Sequence, residues 1–170
     1  MDEIVGLRQW RVASGVIITD DRVLLVANRR RNGGVDWSTP GGVIDPGETA
    51  LSALTREVFE ETGIGVTSWS DIAYQVEVIA PDHGFHLEVW CHRAEEFAGS
   101  IVVDDPDGIV IAVEYVSIDL VADWLDGSPP WVAEPLVEYL KGETGERHRF
   151  RYRLTGGPSG ERRVLRLHDG

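Results

Sequence analysis

Residues 49–63 constrain this chain more than any other stretch, because their spacing suits an α-helix with one apolar side, and the rest of the chain must bury that side. The helix is predicted to begin near Thr49 and to stop at Gly63, a residue suited to the left-handed position that closes a helix. Leu51, Leu54 and Val58 fall at i, i+3 and i+7 and predict its buried stripe. Strand-like segments lie on both sides. Trp10, Val12, Ser14, Val16 and Ile18 alternate with other residues, and Asp20-Asp21 separates them from residues 23–26, which predicts strand, tight turn, strand. Residues 71–79 and 85–92 predict two strands joined around Pro81-Asp82-His83-Gly84, and residues 109–116 predict another. Residues 38–42 and 45–47 are dense in turn formers and predict irregular structure. Ser117 is placed to cap a short helix through Leu125, and residues 134–140 predict a further helix with Pro135 in its first turn.

A chain of 170 residues supports one well-buried domain and is short for two. With 16 Lys+Arg against 29 Asp+Glu its net charge is -13. Such a field repels polyanions, which argues against nucleic acid as a ligand of the main domain and against a membrane-surface protein. The charge is uneven, because residues 141–170 hold eight Lys+Arg and four Asp+Glu. In that tail Phe150, Tyr152 and Leu154 alternate with Arg149, Arg151 and Arg153, and a glycine-rich turn leads into residues 163–167. The pattern predicts a basic hairpin over residues 146–170, packed on a domain of residues 1–145 or on a second copy in a homodimer. Cys91 is the only cysteine, which excludes an intrachain disulfide and a Cys-based zinc site and predicts a reducing compartment. The acidic start Met1-Asp2-Glu3 and the shortness of every apolar run predict a cytoplasmic protein with no membrane span.

The predicted helix also carries charge at a telling spacing. Glu57 and Glu61 are i and i+4, and Glu60 is i+3 from Glu57, so three carboxylates converge on one face. Packed so closely they raise one another's pKa unless a positive charge sits among them. A hard divalent cation meets that need, and an all-oxygen set favours Mg2+ or Mn2+ over zinc. Magnesium usually shares its shell with substrate phosphates, so the pattern points to a metal-phosphate site. Arg56 can reach back to Glu48 and fix the loop before the helix. Gly41-Gly42 carry no side chains, so a backbone carbonyl there can approach the metal.

Over residues 42–64 the chain spells G-x5-E-x7-R-E-U-x-E-E-x-G-U, where U is a bulky aliphatic, through Gly42, Glu48, Arg56-Glu57-Val58, Glu60-Glu61 and Gly63-Ile64. It thereby resembles the Nudix hydrolases at every fixed position of their signature. The motif covers 23 residues, and its context is similar too, with Trp37-Ser38-Thr39-Pro40 leading into it and Glu114-Tyr115-Val116-Ser117 entering a late helix. The resemblance implies an α+β fold, an α/β/α sandwich with a mixed β-sheet, to which the C-terminal β-hairpin is added. It implies Mg2+-dependent cleavage of a pyrophosphate bond in a nucleoside diphosphate linked to another moiety, such as a nucleoside triphosphate or nucleotide sugar, by water attacking phosphorus. By position in the motif, Glu57, Glu60 and Glu61 look like metal ligands, with the Gly42 carbonyl as an addition. Glu57, Glu60, Arg56 and Glu48 form the catalytic set, the last two as an orienting pair. Members of the family differ in the carboxylate that deprotonates water, so Asp104, Asp105 and Asp107 in a loop and Glu77, Glu88 and Glu114 in strands stand beside the helix carboxylates. A proline about as far along as Pro81 is associated in the family with ADP-ribose, although the offset here departs from that pattern and a hairpin turn by itself explains the proline. ADP-ribose hydrolysis is therefore the alternative substrate reading. A nucleotide-sensing module without catalysis and RNA cap removal are the alternatives of other kinds.

Outside the motif, Arg29 and Arg31, with Arg30 between them, are candidates to clamp substrate phosphates through guanidinium contacts. Trp37 is a candidate to stack on a base, as are Tyr74 and Phe85, although a place in the core is the first reading of each. The five histidines show no ligand spacing and are read as incidental, and Cys91 as a small core residue.

Overall fold

The computed structural model describes residues 2–144, 148–157 and 159–168. The expected boundary between residues 145 and 146, Arg147 of the basic tail and Pro158 of its turn lie outside the described residues. The strands are β1 (Arg8–Val16), β2 (Ile18–Thr19), β3 (Arg22–Arg29), β4 (Val35–Ser38), β5 (Gly41–Val43), β6 (Gly65–Ala80), β7 (Phe85–Ala98), β8 (Val110–Ser117), β9 (Arg149–Thr155) and β10 (Arg163–Leu167). They divide between two sheets. The larger is mixed, in the order β10-β9-β6-β7-β1-β5, with β1 parallel to β7 and β6 parallel to β9. In the smaller, antiparallel sheet β3 is flanked by β8 along one edge and by β2 and β4 along the other. The predicted strand-turn-strand is therefore split. β1 belongs to the large sheet, and the turn at Asp20, with its positive φ of 56°, joins β2 to β3 in the small one.

Helix α1 (Ala50–Thr62) forms where its ends are satisfied. The Thr49 hydroxyl accepts the Ser52 N–H at 3.1 Å, and Gly63, at φ 80°, donates its N–H to the Phe59 carbonyl. Its buried side is Ala53, Leu54, Val58 and Thr62, with Leu54 and Val58 packed among Ala13, Leu24, Ile64 and Val66. Leu51 departs from the expected stripe. It is 40% exposed, because the first turn looks onto an open groove beside Trp69 instead of the sheet. A second core lies on the other face of the large sheet, where Tyr74, Val76 and Val78 of β6 and Phe150, Tyr152 and Leu154 of β9 pack with Leu136 of α3 (Pro130–Leu140).

Three local expectations are corrected. Residues 38–42 contribute to β4 and β5, because pairing with β3 and β1 overrides their turn chemistry. The helix expected from residue 134 begins at Pro130, since the missing N–H of a proline costs nothing at the first helical position, and Pro135 lies inside the helix. Ser117 makes no capping bond; a single 3-10 turn (Ile118–Leu120) leads instead into the four-residue α2 (Val121–Trp124). The hairpin of β9 and β10 extends the large sheet through β6. Among the described residues no helix is long and apolar enough to cross a membrane.

Gly63 joins α1 to the segment that follows β7. A Cβ there would lie 2.7 Å from the Ser100 carbonyl oxygen and 2.9 Å from the Val102 nitrogen, in a left-handed conformation that side chains disfavour. Gly63→Ala is expected to lower stability by about 1–3 kcal/mol in urea denaturation. An unchanged midpoint would contradict this packing.

Candidate active site

Strand β5 is pressed between β1 and α1. Gly41 and Gly42 pair with Ser14 and Ala13, and a Cβ on Gly41 would stand 2.2 Å from the Ala13 carbonyl oxygen. A Cβ on Gly42 would stand 2.4 Å from the carboxyl carbon of Glu57. The carboxyl of Glu57 therefore lies across bare backbone. The Gly41 N–H donates to Glu61 Oε2 at 3.3 Å, which brings the second helix carboxylate to the same turn of chain.

The electrostatics follow from that crowding. Burial pushes Glu61 up to about 8; the Gly41 N–H opposes the shift, and Glu57, Asp105 and Glu60 add to it. Burial also raises Glu57 above the ordinary carboxylate range, opposed by Arg56 and assisted by Glu60 and Asp107. Arg56 reaches farther than an orienting pair requires. It holds Glu48 with two bonds, from Nη2 at 2.9 Å and Nε at 3.2 Å, and presents Nη1 to Glu57 Oε1 at 3.1 Å and Glu60 Oε2 at 3.4 Å. Glu48, held below its usual range chiefly by the Arg56 hydrogen bond, also accepts the Asp45 N–H and closes the loop before the helix. Gly42, Glu48, Arg56, Glu57, Glu60 and Glu61 thus form one group. Its donor set is all oxygen, its glycine backbone is open to close approach, and its carboxylates carry more negative charge than Arg56 offsets; these features fit a hard divalent cation.

The loop after β7 faces this group. Val102 donates to the Thr62 carbonyl at 2.8 Å, pinning the loop to the end of α1. Asp105 is occupied by the loop itself, accepting the N–H groups of Ile109 and Val110 at 2.9 Å and of Asp107 at 3.3 Å. Its charge and that of Asp107 still bear on Glu61 and Glu57. Glu114, on β8, points outward.

On the other side of Gly41 lies a pocket of about 300 Å³, lined by Ser14, Asn28, Arg30, Tyr74, Cys91 and Trp131 among others. Of the three arginines it is Arg30 that borders it, held by Asp36 through bonds of 2.6 and 2.7 Å; Arg29 and Arg31 lie on the exposed surface. Trp37 stacks edge-on against Trp124 at 4.7 Å and gives its carbonyl to Ser128. Tyr74 is buried, with its ring against Tyr139 and Phe150, and Cys91 is buried beside it. Asn28 and Trp131 escaped sequence analysis, because only the folded chain brings residues so far apart in sequence to the walls of one pocket.

Glu77 and Glu88 belong to a different cluster. Glu77 on β6 faces His86 Nε2 at 2.9 Å and accepts Arg151 at 2.7 Å and Arg149 at 3.3 Å, while His86 Nδ1 meets Gln9 at 2.5 Å. Ligand atoms of Glu77, His86 and Glu88 lie within 4.8 Å of one another, so a metal is geometrically admissible there, but the two guanidiniums on Glu77 match the two carboxylates in charge. His86 is accordingly a buried tie between strands and not incidental. Sequence spacing hid it because its partners Gln9 and Glu77 come from β1 and β6, and β9 supplies the arginines on Glu77.

A NUDIX domain is matched over residues 9–138. The MutT-like protein of Streptomyces ambofaciens is 45% identical over 53 residues, 31% of this chain and 33% of that protein. The RNA pyrophosphohydrolase of Erythrobacter litoralis is 41% identical over 59 residues, 33% of this chain and 35% of its own. The chain spans about a third of the length of these relatives. Among solved structures, the MutT NUDIX hydrolase of Burkholderia pseudomallei superposes with a TM-score of 0.59 at 28% identity, covering 66% of this chain and 85% of that one. The E. coli ORF135 protein has the same fold, with a TM-score of 0.67 at 20% identity, covering 82% and 93%. Together with the signature over residues 42–64, the match over residues 9–138 establishes that this chain belongs to the Nudix hydrolase family.

Proposed function

We propose that this chain hydrolyses a pyrophosphate bond in a nucleoside diphosphate linked to another moiety, of nucleoside triphosphate or nucleotide-sugar type, with Mg2+ as cofactor and Mn2+ as a substitute. The observation that carries this reading is the crowding of Glu57 and Glu61 at the bare backbone of Gly41 and Gly42, with Glu60 close enough that its charge joins burial in raising both. Glu57, Glu60, Glu61 and the Gly42 carbonyl would hold the divalent ion, which offsets phosphate charge and makes bound water more acidic. Arg56 positions: anchored by Glu48, it steers Glu57 and Glu60 without meeting the reacting atoms. Glu60, with a side chain 33% exposed against 16% for Glu57, is the more open of these two to water, and it stands with Asp104 and Asp107 of the facing loop as a candidate to take the proton of the attacking water. The water oxygen bonds to phosphorus as the bridging P–O bond breaks, and the departing phosphate keeps the electron pair. The pocket beside Gly41 has the volume and the aromatic walls to take the nucleoside. The relatives named MutT-like protein and RNA pyrophosphohydrolase support the reaction class. We assign residues 146–170 a structural role, supported by the pairing of β9 with β6, and the cytoplasm as location, supported by the unpaired, buried Cys91.

Hydrolysis is tested on a panel of nucleoside triphosphates, nucleotide sugars, ADP-ribose and dinucleotides with Mg2+ or Mn2+, where no turnover of any member would overturn the proposal. Glu57→Gln and Glu60→Gln are each expected to lower kcat by on the order of 100-fold or more, while the melting temperature holds or rises because a crowded anion is removed. Glu61 supplies a test by pH. Its folded pKa lies above the ordinary 4.5, so the folded state binds the proton more tightly than the unfolded chain. Without metal, stability is therefore highest at low pH with respect to this group and falls between about pH 4.5 and pH 8. Glu61→Gln should flatten that decline in thermal melts, and an identical slope in both proteins would refute the assignment.

A further inference from the structure

Phe59 is the residue of α1 that neither the core nor the carboxylate group accounts for. It is 60% exposed, one position before Glu60, and the helix is secured without it by Leu54 and Val58. Beside it lies a cleft of about 500 Å³ lined by Phe59, Glu60, Gly63, Val102, Asp104 and Pro106. We propose that this cleft receives a heteroaromatic ring carried by the second half of the substrate, beyond the pyrophosphate from the pocket at Gly41. The proposal rests on the hydrolase reading above and extends it to a substrate class, compounds with a base on each side of the pyrophosphate, such as dinucleoside polyphosphates and dinucleotides.

Three observations support it. The cleft is preformed: Val102 is bonded to the Thr62 carbonyl, Gly63 fits tightly under Ser100, and Asp105 braces the loop from within. It is continuous with the carboxylate group, since Glu60 belongs to both and the loop that supplies Asp104 and Pro106 to the cleft sets Asp105 and Asp107 near Glu61 and Glu57. Its chemistry selects the occupant. The aromatic face of Phe59 with Val102 and Pro106 suits a planar ring, while Glu60 and Asp104 on the rim repel a further phosphate and tolerate a neutral or cationic heterocycle. A mononucleoside triphosphate offers no such ring on its far side.

Isothermal titration with two non-hydrolysable probes, methylene-bridged diadenosine tetraphosphate and methylene-bridged adenosine triphosphate, tests the site without requiring turnover. The wild-type protein is expected to bind the two-ended probe more tightly. Phe59→Ala should reduce the ratio of the two affinities about fivefold or more, and Phe59→Trp should restore it. Equal affinities in the wild type, or a ratio that Phe59→Ala leaves unchanged, would overturn the proposal. Hydrolysis of the unmodified compounds with Mg2+ separates the two claims. A Phe59-dependent ratio with no turnover would defeat the hydrolase reading and leave the ring site standing, and turnover with an unchanged ratio would do the reverse.

Discussion

The contact that the site depends on is the approach of the α1 carboxylates to the backbone of β5. Room for Glu57 exists because residue 42 has no side chain, and residue 41 lies against β1 for the same reason. The incoming chain is held for this contact by the bond between the Ser14 and Thr39 hydroxyls at 2.6 Å and by the Gly15 N–H on the Pro40 carbonyl at 2.9 Å. From that closeness follows the dehydration of Glu57 and Glu61, and from the dehydration the shift in their protonation.

The molecule uses carboxylates in two contrasting ways. At α1, among the described residues, Arg56 alone meets Asp45, Glu48, Glu57 and Glu60, so the group retains surplus negative charge. At β6, Glu77 meets Arg149 and Arg151 as well as His86, and the cluster is close to neutral. The same residue types leave a charge surplus that suits a cation in the first place and tie strands together in the second, with the number of guanidiniums within reach deciding between them. The net charge of -13 therefore says less about ligands than its local distribution does.

Sequence made legible whatever depends on neighbours along the chain. Thr49 and Gly63 bound the helix through contacts within four residues, and the convergence of Glu57, Glu60 and Glu61 follows from helical periodicity alone. The alternation in β9 and the glycine-rich turn that leads to β10 were equally local. What escaped depends on distant partners. The division of strands between two sheets, the extended course of residues 41–43, the exposure of Leu51 and the network joining Gln9, Glu77, His86 and Arg151 are each settled by segments far apart in sequence. Trp37 shows the same limit, since a tryptophan before a glycine-rich turn does not reveal Trp124 as its neighbour.

The parallel pairing of β6 with β9 has a bearing on how the chain comes to be folded. More than seventy residues separate Glu77 from Arg151, and α3 lies between them, so this edge of β6 must stay without β9 until those residues have been made. An open edge of apolar strand invites association with other chains. Glu77, buried at the middle of that edge and costly to dehydrate without its arginines, makes premature pairing with an uncharged strand unfavourable and reserves the position for one that brings guanidiniums.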